Sequence, residues 1–152
     1  MFCGSIDAQG FIVEGEFRPR ELTIVGDGLI LHIEIDPELP INLSKKDECT
    51  NFYIKKNLTG MTYRPRNKVY TWRKVLSLIM QTYKLLCSDK KEYLAINNQQ
   101  LEKLLEQLHI KVNRVTPSVL TNEVPVCNLH NSNIHRCSKR KAIHIWNWIK
   151  QQ

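Results

Sequence analysis

Residues 21–35 read ELTIVGDGLILHIEI. Two runs rich in β-formers, 21–26 and 29–35, flank the turn Gly26-Asp27-Gly28. A short turn of Gly and Asp between such runs is a hairpin signal, because these residues accept the positive φ that tight turns demand. Leu29, Leu31, Ile33 and Ile35 alternate with Ile30, His32 and Glu34, which predicts one buried face. Upstream, residues 5–13 (SIDAQGFIV) form a third β-rich run with small residues. Together the three runs predict an antiparallel meander over the first third of the chain.

Beyond the meander the periodicity changes. Residues 36–68 are punctuated by Pro37, Pro40, Gly60 and Pro65 and predict a long connection with at most one short helix near 45–54. Residues 72–87 place Trp72, Val75, Leu76, Ile79, Met80, Tyr83, Leu86 and Cys87 at helical spacing. A short strand at 92–96 (EYLAI) precedes a helix at 98–109, whose Leu101, Leu104, Leu105 and Leu108 share a face. Residues 110–115 predict another strand. After a loop with Pro117, Pro125, Cys127 and His130, a last helix over about 138–149 turns Ala142, Ile145, Trp146 and Ile149 inward. The order β-β-β-α-β-α-β-α predicts an α/β fold, a mixed sheet covered by helices in an RNase-H-like layout. One domain over 1–152 is expected, with no repeat and no separating linker.

The chain has 152 residues, 42% hydrophobic and 24% charged, with a net charge of +7. That composition excludes a disordered chain, and no apolar run approaches the roughly 18 residues needed to span a bilayer. The opening MFCGSIDAQGF lacks the layout of a signal peptide, so an intracellular protein with no membrane partner is expected. The positive balance favours an anionic partner, nucleic acid being the commonest, although a basic surface also serves solubility or an acidic protein. Five cysteines, Cys3, Cys49, Cys87, Cys127 and Cys137, argue against a full disulfide framework and for metal binding or simple burial.

Two constellations carry chemistry. Cys127 and His130, with two residues between them, can grip one ion from a single turn, with Cys137 arriving at the start of the last helix. The alternative is that both cysteines are small buried residues and His130 a surface one. The basic residues gather around the irregular segment, at Lys55, Lys56, Arg64, Arg66, Lys68, Arg73 and Lys74, and around the last helix, at Arg136, Lys139, Arg140, Lys141 and Lys150. Tyr53, Tyr63 and Tyr70 are interleaved with the first group, a pattern suited to phosphate tracking with base stacking. The alternative is a solvated charged face. His32 reads as polar decoration on its strand, with a supporting contact to a metal ligand as the other reading.

The motif Ser5-Ile6-Asp7-Ala8-Gln9 resembles the first strand of RNase-H-like 3′–5′ exonucleases, which carry Asp-x-Glu there. In those enzymes four carboxylates hold two metal ions that activate water and stabilise the leaving oxygen. Here Gln9 replaces the Glu, Asn97-Asn98-Gln99-Gln100 offers no carboxylate after the fourth strand, and a His135 match would put Arg140 where Asp belongs. Neutral amides do not offset the charge of two Mg²⁺, so the resemblance implies a scaffold whose two-metal site is lost.

A second resemblance covers nearly the whole chain in order. Maelstrom-type domains share the nuclease-like fold, lack its carboxylates and carry a Glu-Cys-His-Cys zinc set. The matching residues are Pro19-Arg20-Glu21-Leu22, then His32 with Asp36-Pro37, then Cys127-Asn128-Leu129-His130 and Cys137. The chain is also similar to uncharacterised insect proteins with the same plan. The resemblance implies a structural Zn²⁺ held by Glu21, Cys127, His130 and Cys137, with His135 as the rival fourth ligand. It further implies an RNA-binding, catalytically silent module in small-RNA (piRNA) silencing of transposons in germ cells. Single-stranded or structured RNA and silencing-pathway proteins would be its partners, in perinuclear granules of the cytoplasm, in the nucleus, or in both. Alternatives are a protein-interaction adaptor in that pathway, and a single-strand RNA nuclease with His135 as base and Arg140 at the phosphate.

Overall fold

The computed structural model describes residues 1–88, 92–118, 126–130 and 136–152. Three long strands come first: β1 (Phe2–Val13), β2 (Glu16–Gly26) and β3 (Leu29–Asp36). Then follow α1 (Lys45–Tyr53), a π-helical turn (Ile54–Thr59), β4 (Tyr70–Thr71) and α2 (Trp72–Leu86). The chain continues through β5 (Tyr93–Ile96), α3 (Gln99–Leu105), a 3-10 turn (Glu106–Leu108), β6 (Val112–Arg114) and α4 (Ser138–Lys150). The six strands form one sheet in the order β4-β3-β2-β1-β5-β6. β1, β2 and β3 are antiparallel neighbours, while β5 runs parallel to β1 and β6 parallel to β5.

The expected α/β sheet with a leading meander is therefore present, with three differences. β2 begins at Glu16 rather than near 21, because Glu14 and Gly15 both take positive φ and close a hairpin directly on β1. Pro19 is accommodated in β2 because the register shifts there, opposite Gln9 and Gly10, and a bulge tolerates a residue with no N–H. Gly10 is needed at that bulge, since a Cβ on it would stand 2.1 Å from the Arg18 carbonyl oxygen. The connection after β3 holds more order than punctuation suggests: α1 runs straight into the π-helical turn, which Gly60 ends in a left-handed conformation. β4, of two residues, carries no periodic signal of its own.

β1 is the central strand and is buried on both faces over most of its length. On one face Ile6, Leu22, Ile24, Ile33 and Ile35 meet Val75 and Ile79 of α2 and Leu101 and Leu105 of α3, forming the main core. On the other, Ala142 and Trp146 of α4 pack on Val25. Toward the start of α4 that second face turns polar. Ser5, Asp7 and Gln9 of β1 lie beside Glu21 and Thr23 of β2, and all five are buried. α1 docks through Asn51, fully buried, which accepts from Ile12 N–H and donates to Ile12 O, each at 2.8 Å.

Cys3 and Cys87 form a disulfide, with Cα atoms 5.4 Å apart, while Cys49, Cys127 and Cys137 are free. Both are buried, as the sequence suggests, but their pairing was not expected. The return of α2 beside the start of β1 brings together residues 84 apart, which spacing alone does not reveal. Among the described residues no helix is long and apolar enough to cross a membrane.

Asn51→Ala would leave two part-buried backbone groups of β1 without their side-chain partner. It is expected to cost about 2–3 kcal/mol, read as a lower urea midpoint at unchanged slope. A wild-type midpoint would contradict this account of how α1 docks.

Candidate metal centre and basic surface

Glu21 stands on β2 with its side chain under the N-terminus of α4, and is fully buried. A lone carboxylate there would be prohibitively costly, so its surroundings must supply partners. Ser138, the first residue of α4, donates its backbone N–H to Glu21 Oε1 at 2.8 Å, and its hydroxyl makes a second short bond to the same oxygen. His32 Nε2, on β3, lies 3.4 Å from Oε1. That contact corrects the reading of His32 as strand decoration: its ring faces the carboxylate from the neighbouring strand. The other oxygen, Oε2, faces Nε2 of His130 as an ion pair.

His130 belongs to the short described turn 126–130, and its Nδ1 is held by the carbonyl oxygen of Thr59 at the end of the π-helical turn. An imidazole that donates one N–H to a backbone carbonyl presents its other nitrogen in a fixed direction, the usual support for a metal-binding histidine. Cys137 caps α4, is 1% exposed, and lies 3.9 Å from Glu21 Oε1 through its sulfur. The Cys127 N–H donates to the Cys137 sulfur at 3.3 Å, which folds the 126–130 turn onto the helix start.

Ligand atoms of Glu21, Cys127, His130 and Cys137 all lie within 4.8 Å of one another. A tetrahedral ion with bonds of about 2.0–2.3 Å places its ligands about 3.3–3.8 Å apart, so a small contraction closes the group around an ion. The sequence-derived quartet is thus brought together from β2, the 126–130 turn and the start of α4. The outer atoms, Glu21 Oε1 and His130 Nδ1, are occupied by protein, while Oε2 and Nε2 turn toward each other, which fits a metal at the centre. His135, the rival ligand and candidate base, lies outside the described residues.

The electrostatics follow from this crowding. Burial alone would raise the Glu21 carboxyl, but hydrogen bonds with His130, His32 and Ser138 and the His130 charge hold it down at about 2. Burial opposes the charge on His130, yet Cys137 and Glu21 raise it to about 10. Hydrogen bonding from Cys127 lowers Cys137 to about 4, and the same bond together with burial pushes Cys127 up. These contacts favour the charged forms of Glu21, His130 and Cys137 and the neutral thiol of Cys127.

Asp7 is fully buried beside this centre, and accepts a hydrogen bond from Gln9 Nε2 at 2.9 Å. Burial pushes its carboxyl up to about 7, against the pull of Lys141 and of Gln9. The amides that follow β5 do structural work. Asn98 caps α3 through Oδ1 and donates to the Ala8 carbonyl at 2.9 Å, while Asn97 donates to the Val115 carbonyl.

Of the basic residues, Lys56, Arg64, Arg66, Lys68, Arg73, Lys74 and Arg136 are exposed, and Lys55, Lys139 and Lys141 are half-buried. Arg140 is buried at 7% exposure, so it stands apart from the surface set. Tyr53 and Tyr70 are exposed, at 57% and 46%. Tyr63 is already engaged, tilted on Phe11 at 5.2 Å and covered by Lys55 at 4.6 Å. Arg20, which the sequence reading passed over, is 2% exposed. It bonds Glu34 at 2.8 Å and the Thr62 carbonyl at 2.9 Å, fixing the loop that carries Arg64 and Arg66 to the sheet.

Three outcomes are expected. Metal binding must displace the protons of His130 and Cys127, so calorimetry of the metal-free protein in buffers of different ionisation enthalpy should report release of about two protons per ion; no release would contradict the centre as described. Cys137→Ser should lower the melting temperature by about 10 °C, as a loss of about 3 kcal/mol does in a chain of this size, and should abolish sensitivity to chelators. Asp7 has a folded value above its unfolded one, so the stability gained from its neutral form is complete below about pH 4 and lost as pH rises through 7. Asp7→Asn should accordingly flatten the decline in urea midpoint between about pH 4 and pH 7, and an unchanged decline would refute this.

Compared with known protein families, with curated proteins and with solved structures, the chain matches none of them.

Proposed function

We propose that this protein is an RNA-binding module on an RNase-H-like, Maelstrom-type scaffold whose two-metal catalytic centre is gone and whose C-terminal helix is secured by a structural Zn²⁺. The observation that carries the reading is the convergence of Glu21, Cys127, His130 and Cys137 to within 4.8 Å, from parts of the chain more than a hundred residues apart. Two sulfurs, one imidazole and one carboxylate suit Zn²⁺ rather than Mg²⁺ or Ca²⁺, which take oxygen ligands. Four protein ligands leave no position for a reactive water, so the metal's role is structural. The antiparallel meander flanked by β5 and β6, both parallel to β1, supports the RNase-H-like layout. Gln9 beside Asp7, and Asn98 spent on a cap, support loss of the two-metal chemistry.

RNA binding is supported by the exposed cations of the 56–74 segment, by Arg136 at the helix approach, and by Tyr53 and Tyr70 as stacking surfaces. The motifs that resemble Maelstrom-type domains support a role in small-RNA silencing of transposons, with pathway proteins as further partners.

Retention on single-stranded RNA should fall steeply with salt. Reversing the charge of Arg64, Arg66 and Lys68 together should reduce the slope of log affinity against log salt by about 3. Retention and slope equal to the wild type would defeat RNA binding at this surface.

A further inference from the structure

A cavity of about 710 Å³ opens between β1, the α1–π-helical segment and the start of α3. That volume lies within the range of roughly 300–1,000 Å³ typical of ligand sites. Gln9, Asn98, Gln99, Gln100, Arg136, Lys141 and Tyr53 are among the residues that line it. No carboxylate is among the described residues that line it. We propose that this cavity holds one phosphate-bearing nucleotide of a bound RNA single strand. The inference rests on the RNA-binding reading and assigns that reading a specific pocket.

The chemistry of the lining selects the ligand. Two cations and no acid make the cavity an anion site, with Arg136 exposed and its guanidinium suited to a phosphate fork. Carboxamides offer donors and acceptors side by side, as base edges and the ribose 2′-hydroxyl require. Gln99 and Gln100 are exposed at the cavity, whereas Asn98 is committed to its cap and to Ala8. Tyr53 presents more than half of its surface and can stack on an unpaired base. An acidic protein side chain would satisfy the cations but leave the ring and the amides unused.

The cavity is also coupled in space to the metal centre. Leu58 and Thr59 line it, and the Arg136 N–H donates to the Leu58 carbonyl at 3.2 Å. The adjacent Thr59 carbonyl receives His130. Arg136 directly precedes Cys137, so the closure that gathers the metal ligands also sets this cation at the cavity wall.

The test is fluorescence anisotropy on the full chain with a labelled single-stranded RNA of about ten nucleotides, within the span one such surface occupies. Tyr53→Ala and the double variant Gln99→Glu with Gln100→Glu should each weaken binding roughly tenfold or more, the loss of one stacked or electrostatically matched nucleotide. Arg136→Glu should also lower the salt slope by about 1. Melting temperatures should stay at the wild-type value, since the side chains of Tyr53, Gln99, Gln100 and Arg136 are exposed. Wild-type affinity in all these variants, alongside weakened binding in Arg64→Glu with Arg66→Glu, would overturn the pocket and leave RNA binding standing. Absence of RNA binding by the wild-type chain would remove both. Should a variant misfold, photocrosslinking of 4-thiouridine RNA to the wild-type protein decides. Adducts on the peptide carrying Tyr53 are expected, and adducts confined to other peptides would overturn the assignment.

Discussion

A buried carboxylate organises this molecule. Glu21 sits in the middle of a sheet face with no water to solvate it, and a charge so placed must be met by protein or metal. The fold meets it from three directions. Ser138 turns the N-terminus of α4 onto it, where helix dipole and free N–H groups favour a negative charge. His32 reaches it from β3 and His130 from the 126–130 turn. Removing any one leaves the others gathered around an under-compensated charge, which is why a group from distant parts of the sequence can be held so closely.

The same constraint explains the unusual polarity beneath α4. Ser5 donates to the Ala142 carbonyl at 2.6 Å, and Thr23 and Ser138 share a hydrogen bond of 2.8 Å. Asp7 and Gln9 pair with each other. The main core on the opposite face is aliphatic and supplies the burial energy. The α4 face contributes less burial and more directionality, because hydrogen bonds and ligand geometry define one seating of the helix where apolar packing alone tolerates several. A structural metal in this centre would complete that seating, and the 126–130 turn, short of regular structure, is the segment with most to gain from it.

Much of this was legible in the residues. Alternation in 29–35 and the Asp27-Gly28 turn announced the β2–β3 hairpin, and leucine spacing announced α2 and α3, since these patterns reflect which faces are buried. The Cys127–His130 spacing and Cys137 pointed to a ligand set, because a single turn can present such residues to one ion. Glu21 entered only through a motif resemblance: nothing in a β-rich run distinguishes a buried ligand from an exposed glutamate. The role of His32, the burial of Arg140, the engagement of Tyr63 and the Cys3–Cys87 pair depend on tertiary neighbours that no local pattern encodes. The start of β2 at Glu16 lies outside the β-rich run 21–26, and Pro19 fits within the strand only through the register shift beside it.

The central claim is that Glu21, Cys127, His130 and Cys137 share one zinc ion, and the coordination shell of that ion tests it most directly. X-ray absorption at the zinc edge of the purified protein should give two sulfur ligands at about 2.3 Å and two nitrogen or oxygen ligands at about 2.0–2.1 Å. A shell of oxygen ligands alone, or a protein that carries no zinc and keeps its melting temperature in chelator, would contradict the account.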